Sequence, residues 1–315
     1  MYHCYLRGKQ YELLAVRACI SKIVQRNMTV IIEPVRESNR DLYSCLREVS
    51  QFNARVILIV NPKCGELEQN QRMLDSLING AIEIYPSIEL GYIVDDTTSF
   101  SQLNSFFNSY AQHSKSIIHY GIYSNSNQLL QFEMSDPLFR TNIFIDGKCS
   151  QHYISNFNQT FKVLIHDGLN RTSTNAGYSN NTIEFFSDLY VNYIRLGYQG
   201  FGDFSIVGDH FSEGGGQAMT AAIHITYKDL DTPDILIHHF LSDPRNLYED
   251  VAILIDEALE KLEDFINNVR PDILAWSSSC GELISIYNTP GQNTNLAYIK
   301  KLSIKHHFEL MHHII

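Results

Sequence analysis

Short apolar segments rich in Ile and Val recur through the first half of the 315-residue chain, roughly every 25 to 30 residues. They are TVIIEPV (29–35), RVILIV (55–60), IELGYIV (88–94), KSIIHYGI (115–122), NIFID (142–146) and FKVLI (161–165). Continuous apolar runs of this length are typical of parallel strands buried on both faces. The stretches between them have helical spacing and follow capping or turn residues such as Asn39 and Thr98. The pattern therefore predicts repeated βα units with right-handed crossovers.

The second half of the chain continues this pattern and then changes it. We predict a helix near 182–197, strands at 203–207, 221–227 and 234–241, and an amphipathic helix over 247–269. Eight of the nine predicted strands close a (β/α)8 barrel, and the last two, joined by an Asp-rich turn, form a hairpin in which the ninth strand extends the rim. We therefore predict an α/β fold, a (β/α)8 TIM-like barrel with a β-hairpin addition late in the barrel and C-terminal helices. A doubly wound open sheet is the alternative.

The spacing of the units also predicts the domain organisation. The βα units are evenly spaced, and no Pro/Gly/Ser linker or charge run interrupts them. This favours a single barrel domain over residues 1–270. The remaining residues, 271–315, are then a C-terminal helical extension packed on the barrel.

Composition narrows the classes of function. The 24 basic and 35 acidic residues give a net charge of -11, which works against the positive field that supplies non-specific affinity for nucleic acid. The apolar runs are far shorter than the roughly 20 residues of a membrane span, and the six cysteines include no Cys-x-x-Cys pair. We expect a cytoplasmic protein with free thiols and no membrane segment. The basic, His-rich tail predicts a solvated closing helix, and the alternative is nucleic-acid binding through Lys300, Lys301 and Lys305.

In a (β/α)8 barrel, functional side chains lie at the C-terminal ends of the strands and in the loops that follow. The predicted strand ends carry Glu33, Asn61, Asp95, Asp96, Tyr120, Asp146, His166, Asp167, Asp203, Asp209, His224 and His239. This is an acidic rim with histidines in its later half, suited to a divalent metal or to general acid–base catalysis. Strand ends and helix caps also select Asp and Asn for structural reasons, so both interpretations stay open.

Glu33 is the sharpest of these candidates, because a carboxylate directly after an apolar run is costly to bury without a partner. The segment YLRGKQ places Arg7 and Lys9 around a glycine, ahead of a helix that begins near Gln10. We expect Arg7 or Lys9 either to pair with Glu33 or to hold an anionic ligand.

The segment GFGDFSIVGDHFSEGGG (200–216) concentrates glycines and polar residues at one point of the chain. A phosphate-binding loop needs glycines between a strand and a helix with a following Lys, whereas Gly214, Gly215 and Gly216 run toward a strand and no Lys is present. We predict a functional rim loop that presents Asp203 and Asp209. A plain turn is the alternative.

Histidines occur on both strands of the predicted hairpin. His224 and His239 lie on neighbouring strands and are expected to meet across them. Two inward-facing histidines would suit a metal or proton transfer, whereas core histidines with one satisfied hydrogen bond are the structural alternative.

The segment KVLIHDGLNRTSTNAGY is similar to the His-Asp segment of glycerophosphodiester phosphodiesterases, which are barrel enzymes. The likeness implies that His166 is an acid/base and Asp167 its neighbour. In that family the segment follows a His-Arg pair and a Glu-x-Asp pair, and neither precedes it here.

A longer series of motifs runs through most of the chain: YLRGKQYEL, VIIEPV, ILIVNPKCG, GYQGFGDFSIVGDHFSEGGG, AAIHITY, IHHFLSD and IKKLSIKHHFELM. Together they resemble the bacterial relatives of the phage "beta protein" family. The resemblance implies a barrel-like fold and genes in mobile or defence-associated neighbourhoods, beside a predicted restriction-nuclease-like protein. It implies no reaction. The positions to inspect first are Arg7, Lys9, Glu33, Asn61, Asp203, Ser205, His224 and His239.

Two functions follow as hypotheses. The first is a component of a bacterial or phage-related two-protein system, of the antiphage-defence kind, in which the barrel acts with the nuclease-like partner. The alternative is a free-standing, metal-dependent hydrolase of a phosphoester or nucleotide, with a divalent ion held by Glu33 and Asp203. The candidate catalytic residues are Glu33, Asp203, His224 and His239, and the candidate ligand-binding residues are Arg7, Lys9, Asn61, Ser205 and Asp209.

Overall fold

The computed structural model describes residues 1–213, 219–244, 250–289 and 294–315. The strands are β1 (Tyr2–Leu6), β2 (Thr29–Ile32), β3 (Arg55–Ile59), β4 (Glu89–Val94), β5 (Lys115–His119), β6 (Phe139–Ile145), β7 (Lys162–His166), β8 (Ile183–Ser187), β9 (Gly200–Asp203), β10 (Ala222–Lys228) and β11 (Ile235–Leu241). The α-helices are α1 (Gln10–Gln25), α2 (Arg40–Gln51), α3 (Gln71–Ile84), α4 (Phe100–Ser109), α5 (Ser126–Ser135), α6 (Gln151–Ser155), α7 (Leu189–Asn192), α8 (Val251–Asn268), α9 (Ser278–Tyr287) and α10 (Leu296–Ile314). Short 3-10 turns lie at Asn175–Asn180, Ser205–Val207 and Pro271–Ala275.

The chain forms two compact units. Unit 1 comprises Met1–Gln10, Asn27–His166 and Leu189–Phe204, and unit 2 comprises Tyr11–Arg26, Asp167–Asp188 and Ser205–Ile315. Each unit has its own sheet and its own hydrophobic core, and they are described separately below.

Unit 1 is a closed parallel barrel with the strand order β1-β2-β3-β4-β5-β6-β7-β9. Strand β9 pairs in parallel with both β7 and β1 and so closes the cylinder. The predicted (β/α)8 barrel is therefore confirmed, and the open-sheet alternative is wrong.

The barrel interior is filled by every second residue of its strands, as the alternation of a β-strand requires. The buried apolar side chains of this core are Tyr5, Ile31, Ile57, Ile59, Ile93, Ile118, Ile143, Ile145, Val163, Ile165 and Phe204. A side chain two residues beyond the last interior position of its strand is therefore directed toward the C-terminal mouth of the barrel.

The glycines of β9 allow the barrel to close. Gly202 lies opposite His3 of β1, and a Cβ atom placed on Gly202 would be only 1.9 Å from the His3 carbonyl oxygen. Any other residue would push the two strands apart, so part of the glycine-rich segment is explained by backbone approach. The triple glycine Gly214–Gly216 lies outside the described residues.

The first and last strands of the barrel, in chain order, differ from those predicted. Strand β1 was expected to be a segment leading into a helix, yet all five of its residues are strand and buried. Residues 183–187 form β8 instead of the predicted helix, and the predicted strand 203–207 ends at Asp203, followed by a 3-10 turn. β1 is therefore the first strand of the barrel, and neither strand of the predicted hairpin belongs to it.

Unit 2 contains the predicted hairpin. Strands β10 and β11 pair antiparallel, and β8 adds to the other side of β11, giving the order β10-β11-β8. Apolar side chains of β10, α8, α9 and α10 form one core on this sheet, including Ile223, Leu254, Leu283 and Leu302. The predicted helix 247–269 is present as α8 from Val251, and its first predicted residues lie outside the described part of the chain.

Candidate functional site

Glu33 is the centre of a buried polar cluster at the mouth of the barrel. It lies directly after β2, and its carboxylate accepts a hydrogen bond from the Tyr5 hydroxyl at 2.7 Å and another from the Lys63 backbone N–H at 2.7 Å. The Arg7 guanidinium forms an ion pair and hydrogen bond with the same carboxylate. The Cys64 thiol lies 3.6 Å away. Both carboxylate oxygens are therefore engaged by donors from β1, from the turn that follows it and from the loop after β3.

Arg7 is held between aromatic rings as well as by this ion pair. Its guanidinium carbon is 5.0 Å from the centroid of the Tyr5 ring and 5.5 Å from that of Phe204. The two rings are 4.9 Å apart, an arrangement that stabilises a buried cation. Gly8 then leaves β1 with φ of +64°, and a Cβ there would meet the Glu33 carbonyl oxygen at 3.3 Å. Of the two cations predicted to pair with Glu33, Arg7 does so.

The segment NPKCG supports the same cluster. The Asn61 side-chain amide donates to the Ile93 carbonyl and accepts from the Ile93 N–H, both at 2.8 Å, so it extends the ladder between β3 and β4. The Lys63 ammonium reaches Asp95 at 2.7 Å. Partial burial pushes the pKa of Asp95 upward, but hydrogen bonds from Lys63 and Thr97 outweigh it and hold the pKa at about 2. Asn61 therefore has a structural task, while Lys63 and Asp95 form a charged pair on the rim.

A second polar pair joins the ends of β6 and β7, on the face of the barrel wall to which Asp203, the register partner of His166, also belongs. The imidazole Nδ1 of His166 is 2.8 Å from the Asp146 carboxylate. This hydrogen bond lowers the pKa of Asp146. A carboxylate at this distance fixes the orientation and tautomer of the imidazole, which is the arrangement used in general acid–base catalysis.

Asp203 does not join Glu33. It precedes the interior residue Phe204 and is directed away from the barrel interior, where its carboxylate accepts a hydrogen bond from the Tyr2 hydroxyl at 2.7 Å. Glu33 and Asp203 therefore lie on opposite faces of the barrel wall, and they do not fit a shared divalent ion. Lys9 lies half-buried in the turn between β1 and α1.

The loop after β9 belongs to unit 2, where it is tied down by its own polar contacts. Ser205 is buried and has φ of +50°. Asp209 donates its backbone N–H to the Asp167 carboxylate at 2.9 Å, and Arg171 donates to the His210 carbonyl at 3.0 Å. The described part of this loop is thus anchored to the segment that follows β7.

The predicted meeting of His224 and His239 is confirmed, but it lies in unit 2 and not on the barrel. Their Nδ1 atoms are 2.7 Å apart, so one ring donates to the other. The Tyr178 ring packs 4.3 Å from His239, whose Nε2 lies 3.5 Å from a Glu184 oxygen. Burial, with a contribution from His239, lowers the pKa of His224 to about 3. One of the two neutral rings therefore carries a proton on Nδ1 and donates it to Nδ1 of the other ring.

The C-terminal motif forms a buried polar cluster in unit 2. Glu309 accepts hydrogen bonds from the Ser277 hydroxyl and the Ser279 backbone N–H, each at 3.0 Å. The His306 Nε2 is 2.6 Å from the Thr226 carbonyl oxygen, which makes it the donor. The tail was predicted to be a solvated helix, and this is wrong: most of α10 is buried and holds the sheet of unit 2 through these contacts.

Neither a metal cluster nor a membrane helix is found within the described ranges. Among those residues, no three His, Cys, Asp or Glu side chains are grouped so as to hold a metal ion. No helix among them is long and apolar enough to cross a membrane.

Comparisons with known proteins give a match among solved structures. No family model matches the chain, and no curated protein matches it. Among solved structures, the chain is similar to a putative dihydrodipicolinate synthase family protein from Coccidioides immitis, with a TM-score of 0.42 and 9% sequence identity. The match covers 64% of this chain and 65% of that chain.

Four members of the barrel-mouth cluster were not among the predicted residues: Tyr5, Lys63, Cys64 and Phe204. Tyr5 and Arg7 are two residues apart, which is the spacing of side chains on one face of a strand. That spacing would have revealed Tyr5 had YHCYL been recognised as the first strand.

Proposed function

We propose that this protein is the barrel component of a bacterial or phage-related two-protein system, of the antiphage-defence kind, and that it binds a nuclease-like partner. The resemblance of its motifs to the phage "beta protein" relatives suggests the partner. The proposal rests most directly on an apolar surface of unit 1, which we call the α7 patch and which consists of Val191, Ile194 and Leu196.

The apolar side chains of the α7 patch are strongly exposed to solvent. Val191, Ile194 and Leu196 are 48%, 70% and 52% exposed, although they lie within six consecutive residues. The segment is held in place by the buried Leu189 and by Tyr193, whose ring packs 5.0 Å from Phe201. Contiguous exposed apolar side chains on an ordered segment are typical of protein–protein contact sites.

The chemistry of the barrel mouth supports a binding role as well. The motifs YLRGKQ and NPKCG supply the hydrogen-bond donors that engage both carboxylate oxygens of Glu33, which belongs to the motif IIEPV. These contacts hold the Glu33 side chain in one position. The motifs that carry the resemblance therefore build a scaffold.

The test is co-expression of the chain with the nuclease-like protein encoded beside it, followed by native mass spectrometry and size-exclusion chromatography. We expect a stable complex with the unaltered chain and at least a tenfold loss of affinity in Ile194→Glu. The matched control is Leu230→Glu, because Leu230 is also 70% exposed but lies in the hairpin turn of unit 2. Absence of a complex, or equal binding by Ile194→Glu, would overturn the proposal.

The pair formed by His166 and Asp146 favours a second candidate, a barrel hydrolase of phosphoesters or nucleotides with His166 as its acid/base. A divalent ion would then arrive with the substrate, since Glu33 and Asp203 do not converge. The assay is turnover of bis(p-nitrophenyl) phosphate with Mg²⁺ or Mn²⁺ and with chelator. His166→Ala should abolish activity while His152→Ala, an exposed position in α6, retains it. Activity that survives in His166→Ala would remove this residue as the catalyst.

A further inference from the structure

Unit 2 contains a cavity of about 790 Å³ along β11. Strand β8 pairs with β11 only over Ile235–His238, and the cavity lies along the residues from His238 to Ser242. Ala176 and Ser179 form one wall, and one face of α8 forms the other. This volume falls within the roughly 300–1,000 Å³ of small-molecule sites.

Aromatic rings line one side of the cavity. The His238 ring centroid is 3.9 Å from that of Phe240 and 4.8 Å from that of Phe265. Phe240 and Phe265 are 5.4 Å apart, and all three residues line the cavity. Such a surface favours a flat aromatic molecule, which can stack on the rings and bury its faces.

One buried ring nitrogen at the cavity lacks a hydrogen-bond partner in the described part of the chain. It is Nδ1 of His238, whereas Nε2 of the neighbouring His239 lies 3.5 Å from the Glu184 carboxylate. An unsatisfied buried polar atom is destabilising, and a ligand with a matching polar edge would supply the missing hydrogen bond. Burial, together with His239, lowers the pKa of His238 to about 4, so its ring is neutral and has one donor and one acceptor nitrogen.

The rim of the cavity is acidic. Glu260 and Asp264 stand one helical turn apart on α8. The ammonium of Lys261, the cation of this rim, is already held by the Leu241 carbonyl at 2.7 Å and the Asp243 carboxylate at 2.8 Å. The rim therefore repels phosphate and carboxylate groups and favours exocyclic amino groups.

From the stacking surface, the unsatisfied ring nitrogen of His238 and the acidic rim, we propose that this cavity binds a neutral nucleobase or nucleoside and discriminates against the phosphorylated nucleotide. The site belongs to unit 2 and is independent of the partner surface proposed for unit 1. It gives the protein a small-molecule ligand in addition to a protein partner.

The test is isothermal titration calorimetry of the full chain with adenosine, guanosine, cytidine and uridine, and with the corresponding monophosphates. We expect saturable binding of at least one nucleoside and at least tenfold weaker binding of its monophosphate. No saturable binding of any nucleoside up to millimolar concentration would overturn the proposal. Equal affinity for the monophosphate would overturn the discrimination that the acidic rim implies.

Two variants locate the site. Val269 lines the cavity and is 59% exposed, so Val269→Trp should fill the opening without disturbing the core and weaken binding at least tenfold. The control, Leu274→Trp, changes an exposed position of unit 2 that does not line the cavity and should bind as the unaltered chain does. Unchanged affinity in Val269→Trp would place the ligand elsewhere.

Discussion

The Tyr5 hydroxyl donates a hydrogen bond to Glu33 across 2.7 Å inside the barrel, and it does so beside the ion pair of Glu33 with Arg7. The Glu33 carboxylate and the Arg7 guanidinium are both almost fully buried, so each needs the other as its counterion. The cluster of Tyr5, Arg7 and Glu33 therefore contributes to the stability of the barrel.

Glu33→Gln tests this dependence. The substitution keeps the shape but leaves the Arg7 guanidinium without its counterion, and breaking a buried pair in this way costs about 3–5 kcal/mol. Tyr5→Phe removes only one hydrogen bond and should cost about 1 kcal/mol. Urea unfolding followed by circular dichroism measures both values. A Glu33→Gln variant as stable as the unaltered chain would show that the pair carries no net stabilisation.

Glu133 makes the stability of unit 1 fall as pH rises. Its Oε2 accepts a hydrogen bond from Asn142 at 2.8 Å, its Oε1 has no partner among the described residues, and burial raises its pKa to about 8. Between the unfolded pKa near 4.5 and the folded value, the native state binds the extra proton. Stability from this group is therefore fully present at pH 4.5 and declines by about 1.4 kcal/mol per pH unit up to pH 8.

Glu133→Gln should remove that decline. Relative to the unaltered chain, we expect the variant to gain about 2 kcal/mol of unfolding free energy between pH 6 and pH 8. The exposed Glu83→Gln on α3 is the matched control, and its pH dependence should follow that of the unaltered chain. Parallel pH profiles for Glu133→Gln and the unaltered chain would contradict the assignment.

His119 acts in the opposite direction. Its Nε2 donates to the Asn142 side-chain oxygen at 2.7 Å and its Nδ1 accepts from the Tyr153 hydroxyl at 2.9 Å, while burial lowers its pKa to about 3. Below pH 6.5 the unfolded chain binds a proton that the native ring does not. Each pH unit of acidification between 6.5 and 3 should therefore cost about 1.4 kcal/mol of stability.

His119→Gln isolates this contribution. The variant loses hydrogen bonds and is less stable at pH 7, but its unfolding free energy should decline less steeply on acidification, by about 1.4 kcal/mol per pH unit. Guanidinium unfolding at pH 6.5, 5.5 and 4.5 gives the two slopes. Equal slopes would mean that His119 is protonated in the native state.

Gly202→Ala tests the closure of the barrel. The added methyl group would collide with the His3 carbonyl, so we expect a loss of at least about 3 kcal/mol or failure to fold. Gly281→Ala is the control, because that glycine lies inside α9 with open space around its Cβ position, and alanine should stabilise the helix by about 0.5–1 kcal/mol. Normal folding of Gly202→Ala would show that β9 and β1 can separate without penalty.

The barrel class could be predicted because six of its strands are continuous apolar runs. The first and last strands could not be recognised in the same way. YHCYL contains a histidine and no Ile or Val, and β9 is a four-residue strand that contains two glycines, so neither is a continuous run of Ile and Val.

The site was predictable to the extent that it followed strand ends. Glu33 was recognised as a carboxylate at the end of a buried strand, and Arg7 as a cation beside a glycine ahead of the first helix. The opposed directions of Glu33 and Asp203 could not be anticipated, because they depend on the end point of β9, and an error of one residue moves a side chain to the other face. The cavity along β11 depends on where β8 stops pairing, which no local pattern encodes.

The pairing of β9 with β1 also has a consequence for the order of folding. Tyr2 and Asp203, which share a hydrogen bond across this pairing, are 201 residues apart in the chain. Until the ribosome has delivered β9, the nascent barrel is an open sheet whose first and seventh strands each expose a backbone edge. Closure is thus a long-range event, of the kind that folds slowly and leaves edges open to association in the meantime. Gly202, which permits the closest approach of the two strands, lies in the last barrel strand to be synthesised.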